Sequence, residues 1–494
     1  MFDMPDITRK RAALNPHKLA MEEVATGRTV TYAELDENAA KTAAYLAEKG
    51  VEAGDRVAVL SHNHIAFFEL LFAVAKLGAV LVPLNWRMPP AELKPLITDS
   101  EPKLIFHDTA TADTATTLPF SADTCISFDC LMTERAGLPP HAGRDVWPED
   151  GLWYLLYTSG TTGQPKAVIQ TFGMALANTI NLGQPIDITS HDVTLNFLPL
   201  FHTAGINTHT MPVLMNGGTV MVMPGFDCDL LADLLESGRL TVFFGVPAVY
   251  QQLSLHPRFQ ALDLTRVRHW ACGGAPISDT LLELFMGRGA TICNGFGMTE
   301  TGPTVFLMDR ESAPEKIGSV GKPQLLVSVR MVGPDGVDVP AGETGELWIS
   351  GPGITPGYWH KPKATAAALK DGWLKSGDLA RVDGDGYHYI VGRSKDMYIS
   401  GGENVYPAEV ENVLATHEAI LEAAVVGVPD ARWGEVGHAF FMLRPEADAP
   451  TDEALNAFCR SLLAAYKVPK YFSVVAEFPR TAAGKIQKHL IERT

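Results

Sequence analysis

The residues best suited to chemistry stand in one run, Tyr157-Thr158-Ser159-Gly160-Thr161-Thr162-Gly163-Gln164-Pro165-Lys166. Backbone N–H groups can cradle phosphate oxygens only where side chains leave room, which Gly160 and Gly163 provide. Thr158, Ser159, Thr161 and Thr162 add hydroxyl donors, and Lys166 adds a charge. The run therefore reads as an anion-binding loop. It departs from the P-loop of nucleotide hydrolases, which needs Gly-Lys followed by Ser or Thr, because Pro165 precedes the lysine and Ala167 follows it. Proline removes an N–H donor, and the Ser/Thr metal ligand is missing. Three further polar-glycine signals follow along the chain: Gly273-Gly274-Ala275-Pro276, Asn294-Gly295-Phe296-Gly297-Met298-Thr299-Glu300 and Ser376-Gly377-Asp378.

Two strands must carry the loop. Residues 152–157 are apolar, and Lys166-Ala167-Val168-Ile169-Gln170-Thr171 is apolar and β-branched, so the loop is expected to join strand to strand. Upstream, Thr31-Tyr32-Ala33-Glu34 has the spacing of a capping box, and the helix it opens is expected to end at Lys49-Gly50. A strand over 55–60, a buried helix over 65–77 and a strand over 79–83 follow, the alternation of an α/β domain with a parallel sheet. Strands recur at 219–222, 241–244 and 267–271. Residues 327–349 read as antiparallel, with Pro334-Asp335-Gly336 as a hairpin signal. Past Gly392-Arg393-Ser394-Lys395-Asp396, a polar junction suited to a hinge, come a helix (407–417), a strand (423–428) and a helix (452–466). About a hundred residues remain there, enough for a small α+β domain.

Composition narrows the partners. At 494 residues the chain is too long for one compact core and is expected to form roughly three units. A net charge of −17 argues against nucleic acid or an anionic membrane as the main partner, so an anionic cofactor must be met by local Lys, Arg and backbone donors. No apolar run follows Arg9-Lys10-Arg11, so no signal peptide is read. The most apolar stretch, 65–84, is interrupted by Glu69, Lys76, Gly78 and Pro83, as befits a buried helix and strand and not a membrane span. Cys125, Cys130, Cys228, Cys272, Cys293 and Cys459 lack paired metal spacing, and a reduced, cytoplasmic setting is expected.

Taken together, these motifs resemble the acyl-adenylate-forming family, which includes acyl-CoA synthetases, aryl-CoA ligases, firefly luciferase and peptide-synthetase adenylation domains. Five separate motifs fall in the family's order, and the likeness spans nearly the whole chain. It implies an α/β fold with a large N-terminal domain of doubly wound sheets plus a β-barrel-like part (1–393), a hinge (394–396) and a small mobile α+β C-terminal lid (397–494). It also implies two steps. A carboxylate and ATP give acyl-AMP and pyrophosphate, and the thiol of coenzyme A then displaces AMP.

Residue by residue, the resemblance gives the β- and γ-phosphates to Thr158, Ser159, Gly160, Thr161, Thr162, Gly163 and Lys166. Glu300 would hold Mg2+, a hard cation suited to carboxylate oxygen, and Thr299 would meet the α-phosphate or the acyl carboxylate. Gly273, Gly274 and Ala275, with Asn294, Gly295, Phe296 and Gly297, would form the adenine site. Phe296 stands where many relatives carry tyrosine, which keeps a stacking face and loses a hydroxyl. Asp378 would grip the ribose hydroxyls, and Arg393 a ribose or phosphate oxygen. Lys485 matches the lid lysine that reaches the carboxylate and α-phosphate during adenylation, a task suited to a mobile point charge. Lys395 matches the hinge position. Rotation there would bring Gly401 and Gly402 to the site, with Gly402 lining a pantetheine tunnel that a side chain would block. His202 matches a histidine at the acyl pocket of coumarate and fatty acyl relatives, as a gate or carboxylate orienter; a base is not required, since the acid is already ionised.

Amino acids are disfavoured as substrates because His202 follows Phe201 where the peptide-synthetase motif has an aspartate. A dicarboxylate such as malonate would want an arginine where Asn294 stands. The acyl group is therefore expected to be uncharged, in a pocket lined by Ile206, Val246, Gly273, Gly297 and Pro303. Aryl acids of the feruloyl or coumaroyl kind and medium- or long-chain fatty acids both stay open. From another class, a non-catalytic nucleotide-binding regulator on the same fold is opposed by the joint presence of Lys166, Glu300, Asp378, Arg393 and Lys485. The implied partners are a small carboxylic acid, ATP and coenzyme A, with a homodimer allowed.

Overall fold

The computed structural model describes residues 3–158, 165–481 and 484–491, and its first sheet is the platform of the 157–166 run. Six strands lie in the order Lys166–Thr171, Leu152–Thr158, Val80–Pro83, Arg56–Leu60, Leu104–His107 and Cys125–Ser127. From Leu152–Thr158 onward the neighbours are parallel, and Lys166–Thr171 joins the edge antiparallel, with Thr158 opposite Lys166. The two ends of the loop thus face each other across one strand pair, as the strand-to-strand reading requires.

The apolar stretch after His64 forms the helix Ile65–Leu77, buried at every position from Ile65 to Lys76. Its two charges stay inside because each has partners: Glu69 pairs with Arg135 at 2.6 Å and Arg28 at 2.7 Å, and Lys76 with Asp36 at 2.6 Å and Asp6 at 2.7 Å. Among the described residues no helix is long and apolar enough to cross a membrane. The helix Tyr32–Glu48 opens on the expected capping box, Glu34 Oε2 accepting from Thr31 N–H at 2.7 Å and Thr31 Oγ1 from Glu34 N–H at 3.3 Å. A helix the sequence reading passed over, Ile7–Leu14, precedes it, capped by Asp6, whose carboxylate accepts from Arg9 N–H at 3.2 Å.

A four-stranded sheet, Val193–Asn196, Thr219–Val222, Leu19–Glu23 and Thr29–Thr31, lies beside a five-stranded one beginning Val242–Gly245, His269–Cys272 and Ile292–Gly297. Those three strands are parallel, and their register sets Gly245 opposite Cys272 and Cys272 opposite Asn294. The glycine motifs therefore emerge together at the carboxyl ends of parallel strands, where open α/β sheets bind ligands. Thr304–Leu307 and Lys322–Pro323 continue the sheet antiparallel. The barrel-like part follows as antiparallel strands Ser328–Val332, Gly345–Ser350 and Trp373–Val382, the last also pairing with His388–Arg393.

From Tyr398 onward a separate sheet forms, in the order Glu403–Val405, Tyr398–Ser400, Gly434–Leu443 and Ile420–Asp430, with Tyr471–Val474 parallel to Gly434–Leu443. Helices Pro407–Ala415 and Asp452–Leu462 cover it over a core that includes Val410, Leu414, Val425, Phe441 and Leu455. The second helix is shorter than the expected 452–466. Leu463 is extended (φ −123°, ψ 150°), and Ala465–Lys467 is a single tight turn. The cysteines are unpaired.

Candidate active site

Asp378 and Arg393 are cross-strand partners, and Arg393 Nε donates to Asp378 Oδ1 at 3.0 Å. Gly377, at φ +72°, turns the chain ahead of the aspartate, and Ser376 Oγ anchors the turn by donating to the Leu347 carbonyl at 2.6 Å. Asp378 is only 4% exposed, and its Oδ2 has no hydrogen-bond partner among the described residues. Burial raises its pKa, opposed by the charges of Arg393 and Lys485. A buried acceptor without a donor is destabilising until something completes it. A pair of ribose hydroxyls is such a donor set.

Glu300 is buried in the turn Thr299–Thr301 that follows the strand Ile292–Gly297. Three contacts fix this turn. The Tyr358 hydroxyl donates to Glu300 Oε1 at 2.9 Å, Thr355 N–H to the Glu300 carbonyl at 2.8 Å, and Gln170 Nε2 to the Thr299 carbonyl at 2.9 Å. Lys166 Nζ lies 5.3 Å from the centre of the Tyr358 ring, so one tyrosine touches both the phosphate-loop lysine and the candidate cation ligand. Tyr358 was not legible as functional in the sequence, where Gly357-Tyr358-Trp359 is one aromatic pair among many. Among the described residues no three His, Cys, Asp or Glu side chains cluster as a metal cage. A single carboxylate still suits Mg2+, which keeps several waters and takes phosphate oxygens beside one or two carboxylates.

The glycines are required by close backbone approach. A Cβ on Gly297 would lie 1.9 Å from the Pro303 carbonyl oxygen, one on Gly295 3.0 Å from that of Phe306, and one on Gly273 3.3 Å from that of Gly295. Gly274 is exposed at φ +88°, and Ala275 is half-buried beside it. Phe296 is half-buried, its ring 6.1 Å from that of Phe306. Asn294 is buried, and its Nδ2 donates to the Ser319 carbonyl at 3.3 Å.

The C-terminal segment enters this cleft. Gly484, at φ +82°, sits where a Cβ would be 3.7 Å from Val246 Cγ2 and 4.0 Å from Ala248 Cβ, and Arg480 Nη1 donates to its carbonyl at 3.0 Å. Lys485 is thereby brought within electrostatic reach of Arg393, Asp378, Glu300 and His202. The surrounding protein, then Arg393, lowers its pKa, while Asp378 and Glu300 oppose the shift. The side chain remains accessible from the open cleft, which limits how far burial can push it.

His202 opens the short helix Thr203–Asn207. Its Nε2 is buried without a partner among the described residues, and burial, then the charges of Lys485 and Arg87, pushes its pKa down to about 4. The ring is neutral until the pH falls to that value, which suits an orienting wall and not a proton carrier. Between pH 6 and 8 the exchange rate is expected to show no ionisation that a His202→Asn variant removes. A limb near 6.5 lost in that variant would refute the assignment.

Other expected residues stand elsewhere. Lys395 is exposed. Gly401 and Gly402, at φ +63° and +89°, form the turn between Tyr398–Ser400 and Glu403–Val405, and Gly401 N–H donates to the Trp433 carbonyl at 2.9 Å within the same C-terminal unit. Ile206 is fully buried in the core of the first sheet. Thr158 Oγ1 donates to the Lys166 carbonyl at 3.3 Å, and Ser159, Gly160, Thr161, Thr162 and Gly163 lie outside the described residues.

Residues 8–359 match the AMP-binding enzyme family, and residues 409–485 match the AMP-binding enzyme C-terminal domain. The chain is similar to a feruloyl-CoA synthase of Amycolatopsis sp, 42% identical over 98% of this chain and 97% of that one. It is 37% identical to an indoleacetate–CoA ligase of Aromatoleum aromaticum, over 97% of this chain and 95% of the relative. The solved structure of o-succinylbenzoate CoA synthetase from Bacillus subtilis, in complex with its acyl-adenylate intermediate, matches with a TM-score of 0.89 at 30% identity, over 100% of this chain and 99% of that one.

Proposed function

Because the chain belongs to the AMP-binding enzyme family and is an AMP-forming acid:CoA ligase using ATP and coenzyme A, we propose that its acid is an aryl carboxylate and that the cleft residues divide the work as follows. The observation that carries the assignment is the approach of Lys485 to Asp378, Arg393 and Glu300 in one cleft. In the first step a carboxylate oxygen bonds to the α-phosphorus while the bond to the β-phosphate oxygen breaks, releasing pyrophosphate. Lys485 holds the two anionic reactants together, which offsets their repulsion and aligns the attack. Asp378 Oδ2 accepts from the ribose, and Lys166 with the loop ahead of it meets the departing phosphates. Mg2+ held by Glu300 would neutralise phosphate charge.

In the second step the coenzyme A sulfur bonds to the acyl carbon and AMP leaves with the electron pair. Gly401 and Gly402 are assigned to this step, reached by rotation of 397–494 against 1–393 about residues 394–396. Lys395 lies at that junction, exposed as a turning segment needs. The free thiols favour a reducing, cytoplasmic setting.

An aryl acid is supported by two relatives whose acids carry rings and by the apolar side chains beside the glycine pair, Phe244 next to Gly273 and Val246 next to Gly274. The test is acid-dependent exchange of labelled pyrophosphate into ATP, with CoA-dependent AMP release, over arylacrylates, arylacetates, benzoates and fatty acids of increasing length. Arylacrylates are expected to give the highest kcat/KM. Higher values for fatty acids would overturn the aryl assignment, and no exchange with any acid would overturn the assigned roles in adenylation.

A further inference from the structure

Behind the glycine pair, the wall of the cleft contains a polar group that the protein leaves unsatisfied. His209 is 2% exposed, and neither of its ring nitrogens has a hydrogen-bond partner among the described residues. Its backbone carbonyl, by contrast, is satisfied: His209 precedes the helix Thr210–Asn216, and the carbonyl accepts from Val213 N–H at 2.9 Å. Burial holds the ring neutral, with its pKa lowered to about 3. A neutral imidazole offers one donor and one acceptor.

The ring lines a small hollow with Leu198, Gly205 and Phe244, whose volume of about 10 Å3 has room for about one water-sized group. The other polar side chains around it are engaged. Asn196 Nδ2 donates to the Gly205 carbonyl at 2.6 Å and to Thr210 Oγ1 at 2.7 Å, and the Thr208 hydroxyl donates to the Ala204 carbonyl. Phe244 connects the hollow to the reaction site. Its ring centre is 5.7 Å from that of His209, and its Cζ lies 3.4 Å from where a Cβ on Gly273 would sit. Behind His209 the ring of His269 stands 6.4 Å away, its Nδ1 also without a partner among the described residues.

We propose that His209 is the specificity residue for the far end of the acid, exchanging hydrogen bonds with a hydroxyl on the aromatic ring opposite the carboxyl-bearing chain. The proposal rests on the aryl reading and sharpens it to a phenolic arylalkenoic acid. A hydroxyl matches a neutral imidazole because each is both donor and acceptor, and it needs only one water-sized space. A second carboxylate would need a cation there, and a hydrogen or methyl group would leave the imidazole unpaired in an apolar wall.

The experiment compares kcat/KM for pyrophosphate exchange with 4-hydroxycinnamate and cinnamate, which differ only in the hydroxyl, in the wild type, His209→Leu and His209→Gln. The wild type is expected to prefer the hydroxylated acid about 10- to 100-fold. His209→Leu should reduce the preference to within about twofold, and His209→Gln, with a donor and an acceptor, should retain most of it. A purely structural histidine would lower both rates alike and leave their ratio unchanged. Equal kcat/KM for the two acids in the wild type, or an unchanged ratio in His209→Leu, would overturn the proposal. The wild-type comparison needs no variant, so it decides even where the leucine protein fails to fold, which its melting temperature reads. Exchange with no aryl acid at all refutes the aryl reading, whereas equal exchange with both cinnamates refutes only the hydroxyl contact.

Discussion

Lys485→Ala is expected to lower acid-dependent pyrophosphate exchange about 10²- to 10³-fold, the usual cost of removing a fixed charge from a developing anion, while supplied acyl-AMP is still converted to thioester. The split follows from the geometry. The amine stands at the cleft with Gly484 beside Val246 and Ala248, and in that arrangement Gly401 stays paired with its own domain at the Trp433 carbonyl. Truncation removes a solvent-accessible side chain, so stability is expected to change by no more than about 0.5 kcal/mol and the melting temperature to hold. Loss of both half-reactions would contradict the division of labour. The pH dependence carries the same signature. Burial and Arg393 lower the amine's pKa from 10.5, so the charge is present at lower pH and lost as pH rises through a value below the ordinary one. The alkaline limb of kcat/KM for exchange should lie there, and Lys485→Arg should abolish it, because guanidinium does not titrate in that range.

What could be read from the sequence was what is local in the chain. The capping box at Thr31 and Glu34 and the strands flanking the loop each carry their reason within a few residues. What could not be read depends on register and long separation. Asp378 and Arg393 were singled out individually, but their mutual hydrogen bond arises from antiparallel pairing across 15 residues. Tyr358 reaches Glu300 across 58 residues. Asn294, the last parallel-paired residue of its strand, reaches the Ser319 carbonyl across 25 residues. His209, between two threonines, has no local pattern; only its burial and unpaired nitrogens mark it. The helix Ile7–Leu14 was concealed because Arg9-Lys10-Arg11 interrupts any apolar periodicity, while Asp6 at its start was a readable cap.

Glu300→Gln is expected to reduce exchange about 10²-fold or more while leaving the fold intact. Glutamine keeps the shape, and its amide oxygen can still accept from Tyr358, whose hydroxyl stays protonated because burial, the largest cause, holds its pKa above the ordinary tyrosine value. What disappears is the charge that a hard cation requires, so the Mg2+ concentration supporting half-maximal exchange should rise. Tyr358→Phe tests the same carboxylate from the other side. It removes one hydrogen bond to a charged group, about 1.5 kcal/mol or roughly tenfold, yet preserves the ring beside Lys166. Its Mg2+ dependence should shift in the same direction; a fall in kcat with an unchanged Mg2+ midpoint would remove Tyr358 from the positioning role. Because both changes act through one carboxylate, the double variant should fall well short of the product of the two single effects. Independent losses would instead mean that the tyrosine serves the phosphate loop through Lys166 and not the cation through Glu300.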